Sequence, residues 1–244
     1  MKENIYDNDA FFEAYQKFPR SVEGLSAAGE WHELKKLLPD FQGKRVLDIG
    51  CGFGWHCIYA ASKGATYVLG TDISEKMLAV AKEKTESDVV TYKQVAMEDL
   101  QLDDESFDVV MSSLAFHYTP NFDQVVQVIH NALKPGGVFV FSVEHPVFTA
   151  QGKQDWIYDS EDKPAYWPVD NYFFEGKREA VFLGEQVVKY HRTVTTYLQT
   201  LLKYGFCIKA VVEPEPAKEL LEQVEGMKDE LRRPMMLLVS CIKK

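Results

Sequence analysis

Between residues 43 and 144, short runs of apolar residues alternate with segments in which apolar positions recur every three or four residues. The runs are apolar on both faces, as in strands of a sheet covered by helices on both sides. The segments between them have the spacing of amphipathic helices. The predicted strands are residues 45–49, 66–72, 90–95, 107–113 and 137–144, and the predicted helices are residues 55–62, 75–84 and 122–133. This alternation predicts an α/β fold with a doubly wound, mostly parallel sheet.

The alternation stops after Glu144 and resumes about 45 residues later. Residues 145–190 are rich in aromatic and turn residues without a helical period, and a loop of that length is rarely idle in a compact domain. We therefore expect residues 145–190 to form an inserted substrate lid after the fifth strand. Beyond it, helices are predicted at 192–204 and 216–230, and strands at 206–213 and 235–242, which makes seven strands in all.

Two helices are predicted before the first strand, at residues 9–18 and 26–38. We expect them to belong to an N-terminal helical cap over residues 1–40. The length of 244 residues suits one domain with an insertion, so the expected organisation is a single domain over 1–244. Ser74 is a plausible N-cap of the helix predicted at 75–84.

Composition narrows the partners that we expect. Acidic residues number 37 against 27 basic ones, a net charge of -10, which argues against binding nucleic acid because that affinity rests on Lys and Arg. The four cysteines form no CxxC pair, so we expect a reduced, cytoplasmic compartment. No apolar stretch is long enough to span a membrane, and the six histidines lack the spacing of a metal site, so we expect neither membrane nor metal. The oligomeric state is left open.

A glycine-rich loop connects the first predicted strand to the helix after it, in the stretch "RVLDIGCGFGWHCIYAA" at residues 45–61. Gly50, Gly52 and Gly54 let the backbone approach a ligand that side chains would keep away. The loop ends in neither the Lys-Ser/Thr of a phosphate-binding loop nor the GxGxxG spacing of a dinucleotide site. We therefore expect a nucleotide-like ligand of another kind.

Two carboxylates indicate which ligand this loop holds. Asp48 comes before the glycines, where it repels a pyrophosphate but suits a cationic amine or sulfonium. Asp72 ends the next strand, 20 residues beyond Gly52, where a carboxylate can accept hydrogen bonds from ribose hydroxyls. The expected ligand has a ribose, no pyrophosphate and a positively charged end.

Five motifs in order extend this interpretation: VLDIGCGFG, GTDIS, AMEDL, SFDVVMSSLAFHY and ALKPGGVFVFS. Together they make roughly residues 43–143 resemble class I S-adenosylmethionine-dependent methyltransferases, in particular the "type 11" small-molecule group. The resemblance implies a Rossmann-like sheet, S-adenosyl-L-methionine as cofactor and S-adenosyl-L-homocysteine as product. The implied cofactor-binding residues are Asp48, Gly50, Cys51, Gly52, Gly54, Asp72, Ile73, Met97, Glu98 and Ser113. Ala96 stands where the family often has Asp.

Candidate residues for catalysis and acceptor binding follow the carboxyl ends of the predicted strands or border the expected cap and lid. His117 and His145 are candidate general bases, because an unperturbed imidazole titrates near neutral pH. Either could instead be an ordinary loop histidine. The candidate acceptor contacts are Tyr6, Tyr15, Glu144, Tyr190, His191 and Arg192. Arg192 suits an anionic substrate group, or it could only pair with a nearby carboxylate.

We expect an enzyme that transfers a methyl group to the oxygen or nitrogen of a small molecule by in-line displacement. Two alternatives remain: a protein that binds S-adenosylmethionine without catalysis, and an NAD-dependent dehydrogenase on the same fold. The GxGxG spacing and Asp48 disfavour the dehydrogenase. Methylation of RNA or protein is less expected, because the chain is acidic and lacks an NPPY-like motif.

Overall fold

The computed structural model describes residues 2, 4–224 and 226–244. The strands are β1 (Arg45–Ile49), β2 (Tyr67–Asp72), β3 (Val90–Gln94), β4 (Phe107–Ser113), β5 (Leu133–Glu144), β6 (Ile157–Tyr158), β7 (Pro164–Tyr166), β8 (Gly176–Phe182), β9 (Glu185–His191), β10 (Phe206–Val212) and β11 (Met236–Lys243). The α-helices are α1 (Asp9–Gln16), α2 (Pro19–Glu23), α3 (Trp31–Leu37), α4 (Trp55–Ser62), α5 (Glu75–Lys84), α6 (Phe122–Ala132), α7 (Pro146–Thr149), α8 (Val194–Lys203) and α9 (Lys218–Gln223).

Seven strands form one sheet in the order β10-β11-β5-β4-β1-β2-β3. The pairs among β1 to β5 are parallel, and β11 runs antiparallel to both β5 and β10. The predicted doubly wound, mostly parallel seven-stranded sheet is therefore confirmed. Because β1, β2, β4 and β5 are parallel, their carboxyl ends lie along one edge, where ligands bind in open α/β sheets.

Helices cover both faces of this sheet, and strand residues alternate between two cores. Leu47 and Ile49 pack into a core with α6 and α8, where Phe139 and Phe141 are fully buried. Val46 packs on the opposite face with α4 and α5. This two-sided burial explains why the strands are apolar on both faces of the sequence pattern.

Most element boundaries lie within two residues of the prediction, and Ser74 caps α5 as expected, accepting from Met77 N. Two predicted helices are wrong in extent. The helix at 216–230 is α9 followed by a separate 3-10 helix, because Val224 has an extended backbone (φ -108°, ψ 120°) and Gly226 a left-handed φ of 78°. The helix predicted at 26–38 is a 3-10 turn at Gly24–Ala27 and then α3.

Segments outside the sheet extend over its carboxyl edge from two directions. At the N-terminus, Asp7 accepts hydrogen bonds from Ser74 Oγ at 2.5 Å and from Lys76 N at 3.2 Å, which ties this segment to the start of α5. After β5, the insertion forms α7 and two antiparallel hairpins, β6–β7 and β8–β9. Within the described ranges, we find no helix with the length and apolarity needed to cross a membrane.

Candidate functional site

A cleft of about 1360 Å³ opens at the carboxyl edge of the sheet. Its lining comes from the N-terminal segment, the glycine loop, the ends of β2, β4 and β5, the insertion, and the segment from Pro214 to Met236. The volume exceeds the roughly 300–1,000 Å³ that is usual for a site holding one small ligand. The cleft can therefore hold two molecules side by side.

The glycine loop has a conformation that requires glycine at two positions. Gly50 has a φ of 71°, and a Cβ there would lie 2.4 Å from the Cβ of Ala115. Gly54 has a φ of 76°, and its Cβ would lie 2.2 Å from Tyr92 Oη. Gly50, Cys51 and Gly52 line the cleft, whereas Gly54 precedes α4 and is not among the lining residues. The loop thus brings bare backbone to the wall of the cleft, which glycine's conformational freedom permits.

Asp72 lies where β2 ends and lines the cleft beside Ile73. Its Oδ2 accepts from Gly52 N and its Oδ1 from Ser74 N, both at 2.9 Å. Burial raises the pKa of this carboxyl above its usual value, although the backbone N–H groups lower it in part. Asp72 therefore links the two strand-end loops and still has lone pairs free for ligand hydroxyls.

Asp48 lies below the loop and is not among the cleft-lining residues. It is 1% exposed, and its Oδ2 accepts from the Cys57 thiol at 3.3 Å. Its Oδ1 has no hydrogen-bond partner within the described part of the chain. Burial raises the pKa of Asp48 to about 7. Asp48 therefore does not contact the cleft directly, and it can act on a bound molecule only through its charge.

Ser113, at the end of β4, belongs to a polar network that the sequence analysis missed in part. Its Oγ donates to Glu30 Oε1 at 2.9 Å and accepts from Arg20 Nη2 at 2.7 Å. Arg20 and Glu30 form an ion pair at 2.8 Å, in which the Glu30 side chain is fully buried. Burial, the largest single influence, would raise the pKa of Glu30, but the Arg20 charge and the hydrogen bonds from the backbone and from Ser113 together outweigh it, so the pKa is lowered.

The residue after Ser113 has an unusual backbone. Leu114 has a φ of 53°, and its N–H donates to Ser142 O at 2.9 Å. Such a conformation costs of order 1–3 kcal/mol in a residue other than glycine and is concentrated at functional sites. Leu114 lines the cleft, so the conformation occurs where a ligand would lie.

An apolar stretch of the wall extends from the end of β2 to the loop after β3. It consists of Ile73, Met77, Val95, Ala96 and Met97, and the charged Glu98 lies at its end. Tyr6 and Tyr15 line the cleft from the N-terminal segment, with ring centroids 5.2 Å apart. Tyr6 Oη lies 3.1 Å from Tyr118 Oη, and burial raises the pKa of Tyr6. The part of the cleft between the glycine loop and the N-terminal segment thus offers apolar surface together with tyrosine hydroxyl groups.

His117 lines the cleft but does not have the pKa that was expected of it. Burial lowers the pKa of the imidazole to about 4, so the ring is neutral at neutral pH. Its Nδ1 accepts from Glu144 N at 3.4 Å, which assigns the ring proton to Nε2. A general base works best with a pKa near the working pH, so this geometry favours His117 as a hydrogen-bond donor.

Glu144 lies in a buried polar cluster with two residues of the insertion that the sequence analysis did not single out. Lys189 Nζ is 2.6 Å from Glu144 Oε1, and Gln154 Nε2 donates to Glu144 Oε2 at 2.8 Å. Lys189 Nζ also donates to Gln154 Oε1 at 2.8 Å. All three line the cleft. Strand alternation could have indicated Lys189, since it shares the buried face of β9 with Val187.

Besides Asp48 and Gly54, four of the candidate residues for catalysis and acceptor binding do not line the cleft, contrary to their expected placement. His145 Nδ1 accepts from Val147 N at 3.0 Å and so caps α7, while its Nε2 lies 2.8 Å from Glu213. The other three are at the end of the insertion and are Tyr190, His191 and Arg192. His191 bonds Thr149 Oγ1 and Tyr172 O, both at 2.8 Å, and the Arg192 guanidinium donates to backbone carbonyls. The polar atoms of His191 and Arg192 are thus committed to holding the chain where it rejoins the sheet.

Comparisons with known proteins agree with this geometry. A family model described as "Methyltransferase domain" matches residues 47–141. The chain is 60% identical to a Listeria monocytogenes protein whose crystal structure is described as that of a candidate S-adenosylmethionine dependent methyltransferase; the TM-score is 0.86, and the match covers 91% of this chain and 99% of that one. It is 44% identical to an S-adenosylmethionine dependent methyltransferase from Mesorhizobium loti, with a TM-score of 0.84 over 90% of this chain and 100% of that one.

A third relative is similar over a shorter range. The ubiquinone biosynthesis O-methyltransferase of Pseudomonas syringae is 43% identical over 103 residues, which are 41% of this chain and 44% of that one. The likeness is thus confined to less than half of either protein, whereas the two solved structures match nearly their whole length.

Proposed function

This chain belongs to the class I S-adenosylmethionine-dependent methyltransferases, and on that premise we propose that it methylates the oxygen or nitrogen of a small molecule bound in the same cleft as the cofactor. The observation that carries the proposal is the size of the cleft, which extends from the glycine loop to a second, largely apolar half. The residues of that second half are the basis for proposing a small-molecule acceptor. The match to the ubiquinone biosynthesis O-methyltransferase covers less than half of either chain, which is too little to identify the acceptor.

The residues of the first half suit the cofactor group by group. Asp72 would accept hydrogen bonds from the ribose hydroxyls, and Ile73 and Met97 would offer apolar surface to the adenine. Gly50, Cys51 and Gly52 would bring backbone to the amino acid portion, and Arg20 would provide a cation for its carboxylate. The unpaired Oδ1 of Asp48 lies beneath the loop and favours a positive charge above it. When bound, the cofactor supplies an electrophilic methyl group on a cationic sulfur.

The second half of the cleft is walled mainly by apolar side chains. They are Phe148, Val181, Phe182, Pro214, Leu220, Met227, Met235 and Met236. We propose that this wall aligns the acceptor and excludes water, which accounts for most of what a displacement needs from the protein. Residues 145–190 would act as a lid on the acceptor and residues 1–40 as a cap on the cofactor, both opening for exchange.

Few proton transfers fall to the protein in this scheme. A neutral thioether leaves without an acid, and the proton that a hydroxyl or amine acceptor loses would pass to solvent or to a cleft carboxylate such as Glu144, so the main task of the cleft is to orient the acceptor atom. The neutral His117 is suited to donating Nε2–H to an acceptor oxygen, and its lowered pKa makes it a weak base. We propose no catalytic role for His145, because its imidazole caps α7 and the residue is not among those that line the cleft.

Binding measurements test the first part of the proposal. By calorimetry, S-adenosylmethionine and S-adenosylhomocysteine should both bind, and NAD should not. Asp72→Ala should weaken both by more than about tenfold, since it removes charged acceptors of hydrogen bonds worth roughly 1.5–3 kcal/mol each. Asp104→Ala is the control, because Asp104 is an exposed carboxylate remote from the lining. Binding of NAD without binding of S-adenosylmethionine or S-adenosylhomocysteine would refute the proposal and favour an NAD-dependent dehydrogenase.

A transfer experiment tests the second part. The protein is incubated with methyl-labelled S-adenosylmethionine and a cell extract separated into small-molecule, protein and RNA fractions. Label should enter the small-molecule fraction, and Gly50→Ala protein should give no transfer. Label found only in protein or RNA would refute a small-molecule acceptor, and cofactor binding without transfer to any fraction would indicate a non-catalytic binding protein.

A further inference from the structure

A buried ion pair faces the acceptor half of the cleft and leaves part of its hydrogen-bonding capacity unused. The Lys189 and Glu144 side chains are 4% and 16% exposed, and their charged atoms are 2.6 Å apart. The lysine comes from β9 of the insertion and the carboxylate from the end of β5, so the pair forms only when the insertion packs on the sheet. Both charged groups line the cleft.

Counting donors and acceptors shows what the pair lacks. An ammonium has three N–H groups, and Lys189 donates one to Glu144 and one to Gln154. A carboxylate has about four lone-pair sites, and Glu144 accepts one bond from Lys189 and one from Gln154. One N–H and two lone pairs therefore remain at adjacent positions. Each of these groups already has a partner, and the unused N–H and lone pairs are capacity that a molecule bound in the cleft can take up.

We infer that Lys189, Glu144 and Gln154 form the polar subsite for the acceptor, and that the acceptor is an uncharged, mainly apolar molecule with a hydroxyl group. A hydroxyl accepts from the free N–H of Lys189 and donates to the free lone pair of Glu144. A carboxylate would meet Glu144 and an ammonium would meet Lys189, so each charged group is repelled by one member of the pair. This inference rests on the proposed function, since it assigns the acceptor end of that cleft.

The surroundings of the subsite support an uncharged occupant. Phe182 lies with its ring centroid 5.6 Å from Lys189 Nζ, and Phe148 and Met236 line the same half of the cleft. His117, which borders Glu144, is neutral because burial lowers its pKa to about 4. Burying an unpaired charge against such walls is expensive, whereas an apolar body gains from the same contacts.

The test uses three probes that share one carbon skeleton and differ in one group: 4-ethylbenzyl alcohol, 4-ethylbenzylamine as its ammonium ion, and 4-ethylbenzoate. Their binding is measured by calorimetry on protein saturated with S-adenosylhomocysteine. The alcohol should bind at least about tenfold more tightly than either ion. Equal binding of the three probes, a preference for an ion, or no binding of any probe overturns the inference.

Removing one charge of the pair at a time provides a sharper test, because each variant should prefer a different probe. Glu144→Gln leaves the ammonium of Lys189 uncompensated, so the preferred probe should become the benzoate. Lys189→Met leaves the carboxylate uncompensated, so the preferred probe should become the ammonium ion. A variant that merely distorts the cleft would weaken all three probes alike, which would contradict the assignment. The control is Lys163→Met, which removes an exposed lysine of the same insertion and should keep the wild-type order.

Two further measurements separate the possible causes of failure. The double variant Glu144→Gln/Lys189→Met removes both charges at once, so it should remain folded and prefer the alcohol with weaker affinity. Titration with S-adenosylhomocysteine precedes every probe measurement and reports on the cofactor half alone. Absence of that binding in the wild-type protein would refute the proposed function, whereas normal cofactor binding with no preference among the probes would refute only the acceptor assignment.

Discussion

Removal of Arg20 should destabilise the protein far more than its position in a short N-terminal helix would suggest. In Arg20→Met protein, the fully buried Glu30 carboxylate keeps its bond from Ser113 but loses its counter-ion. Breaking a buried pair in this way costs about 3–5 kcal/mol. For a chain of 150–250 residues, each kcal/mol lowers the Tm by about 2–4 °C, so the Tm should fall by about 6–20 °C.

The pH dependence of this loss identifies its cause. In the wild-type protein the lowered pKa of Glu30 adds stability above the ordinary glutamate pKa, and that stability is lost as pH falls through the lower folded value. In Arg20→Met protein, the unpaired buried carboxyl should instead have a raised pKa. The variant should therefore lie furthest below wild type at neutral pH and approach it near pH 4.

Thermal unfolding followed by circular dichroism from pH 4 to pH 8 measures both effects. The double variant Arg20→Met/Glu30→Leu should recover much of the lost stability, because no unpaired charge is left. Lys203→Met is the matched control: it breaks an exposed pair with Asp123 and should change stability by less than about 1 kcal/mol. A loss below about 1 kcal/mol in Arg20→Met, or the same loss at every pH, would refute the reasoning.

Three other perturbations have defined outcomes. Gly50→Ala should reduce S-adenosylhomocysteine affinity by at least about a hundredfold in calorimetry, because the new Cβ meets Ala115. The control is Gly136→Ala, which should bind normally because Gly136 has a similar φ of 77° but open space around it. Equal losses of affinity in the two variants would contradict the steric argument. The raised pKa of Asp48, about 7, makes the wild-type free energy of unfolding decline by about 3 kcal/mol between pH 5 and pH 8, because the buried carboxyl favours the folded state only while it is protonated. Asp48→Asn should remove this decline. Denaturant titrations in which the variant keeps the wild-type dependence of unfolding free energy on pH would contradict this. Tyr6→Phe should cost about 1 kcal/mol of stability by removing the hydrogen bond to Tyr118, and an unchanged Tm would show that the bond contributes nothing.

The parts of this protein that the sequence determines by itself are those that depend on neighbouring residues. The left-handed φ angles of Gly50 and Gly54, the Ser74 cap and the two-sided burial of the strands all follow from local chemistry and spacing. For that reason the order of strands and helices, the class of the fold and the position of the glycine loop at the carboxyl edge of the sheet could be predicted. Helix ends were less accurate, because a single left-handed residue such as Gly226 interrupts an otherwise helical pattern.

The acceptor half of the cleft shows what sequence reasoning could reach only in part. Glu144 was singled out because it ends a parallel strand, and it does line the cleft. His145 is adjacent in sequence but caps α7, since successive residues leaving a strand point in different directions. The ionisation of His117 also depended on burial by distant segments, which lowers its pKa to about 4.

Only the tertiary structure decided which distant residues meet. Arg20 and Glu30 reach Ser113 at the end of β4, about 80–90 positions further along the chain, and Lys189 reaches Glu144 across 45 positions. No local pattern encodes these pairings, because a charged residue in a helix or strand is usually solvated. They arise when the cap and the insertion pack over the sheet edge, where the loss of water makes partners for buried charges necessary.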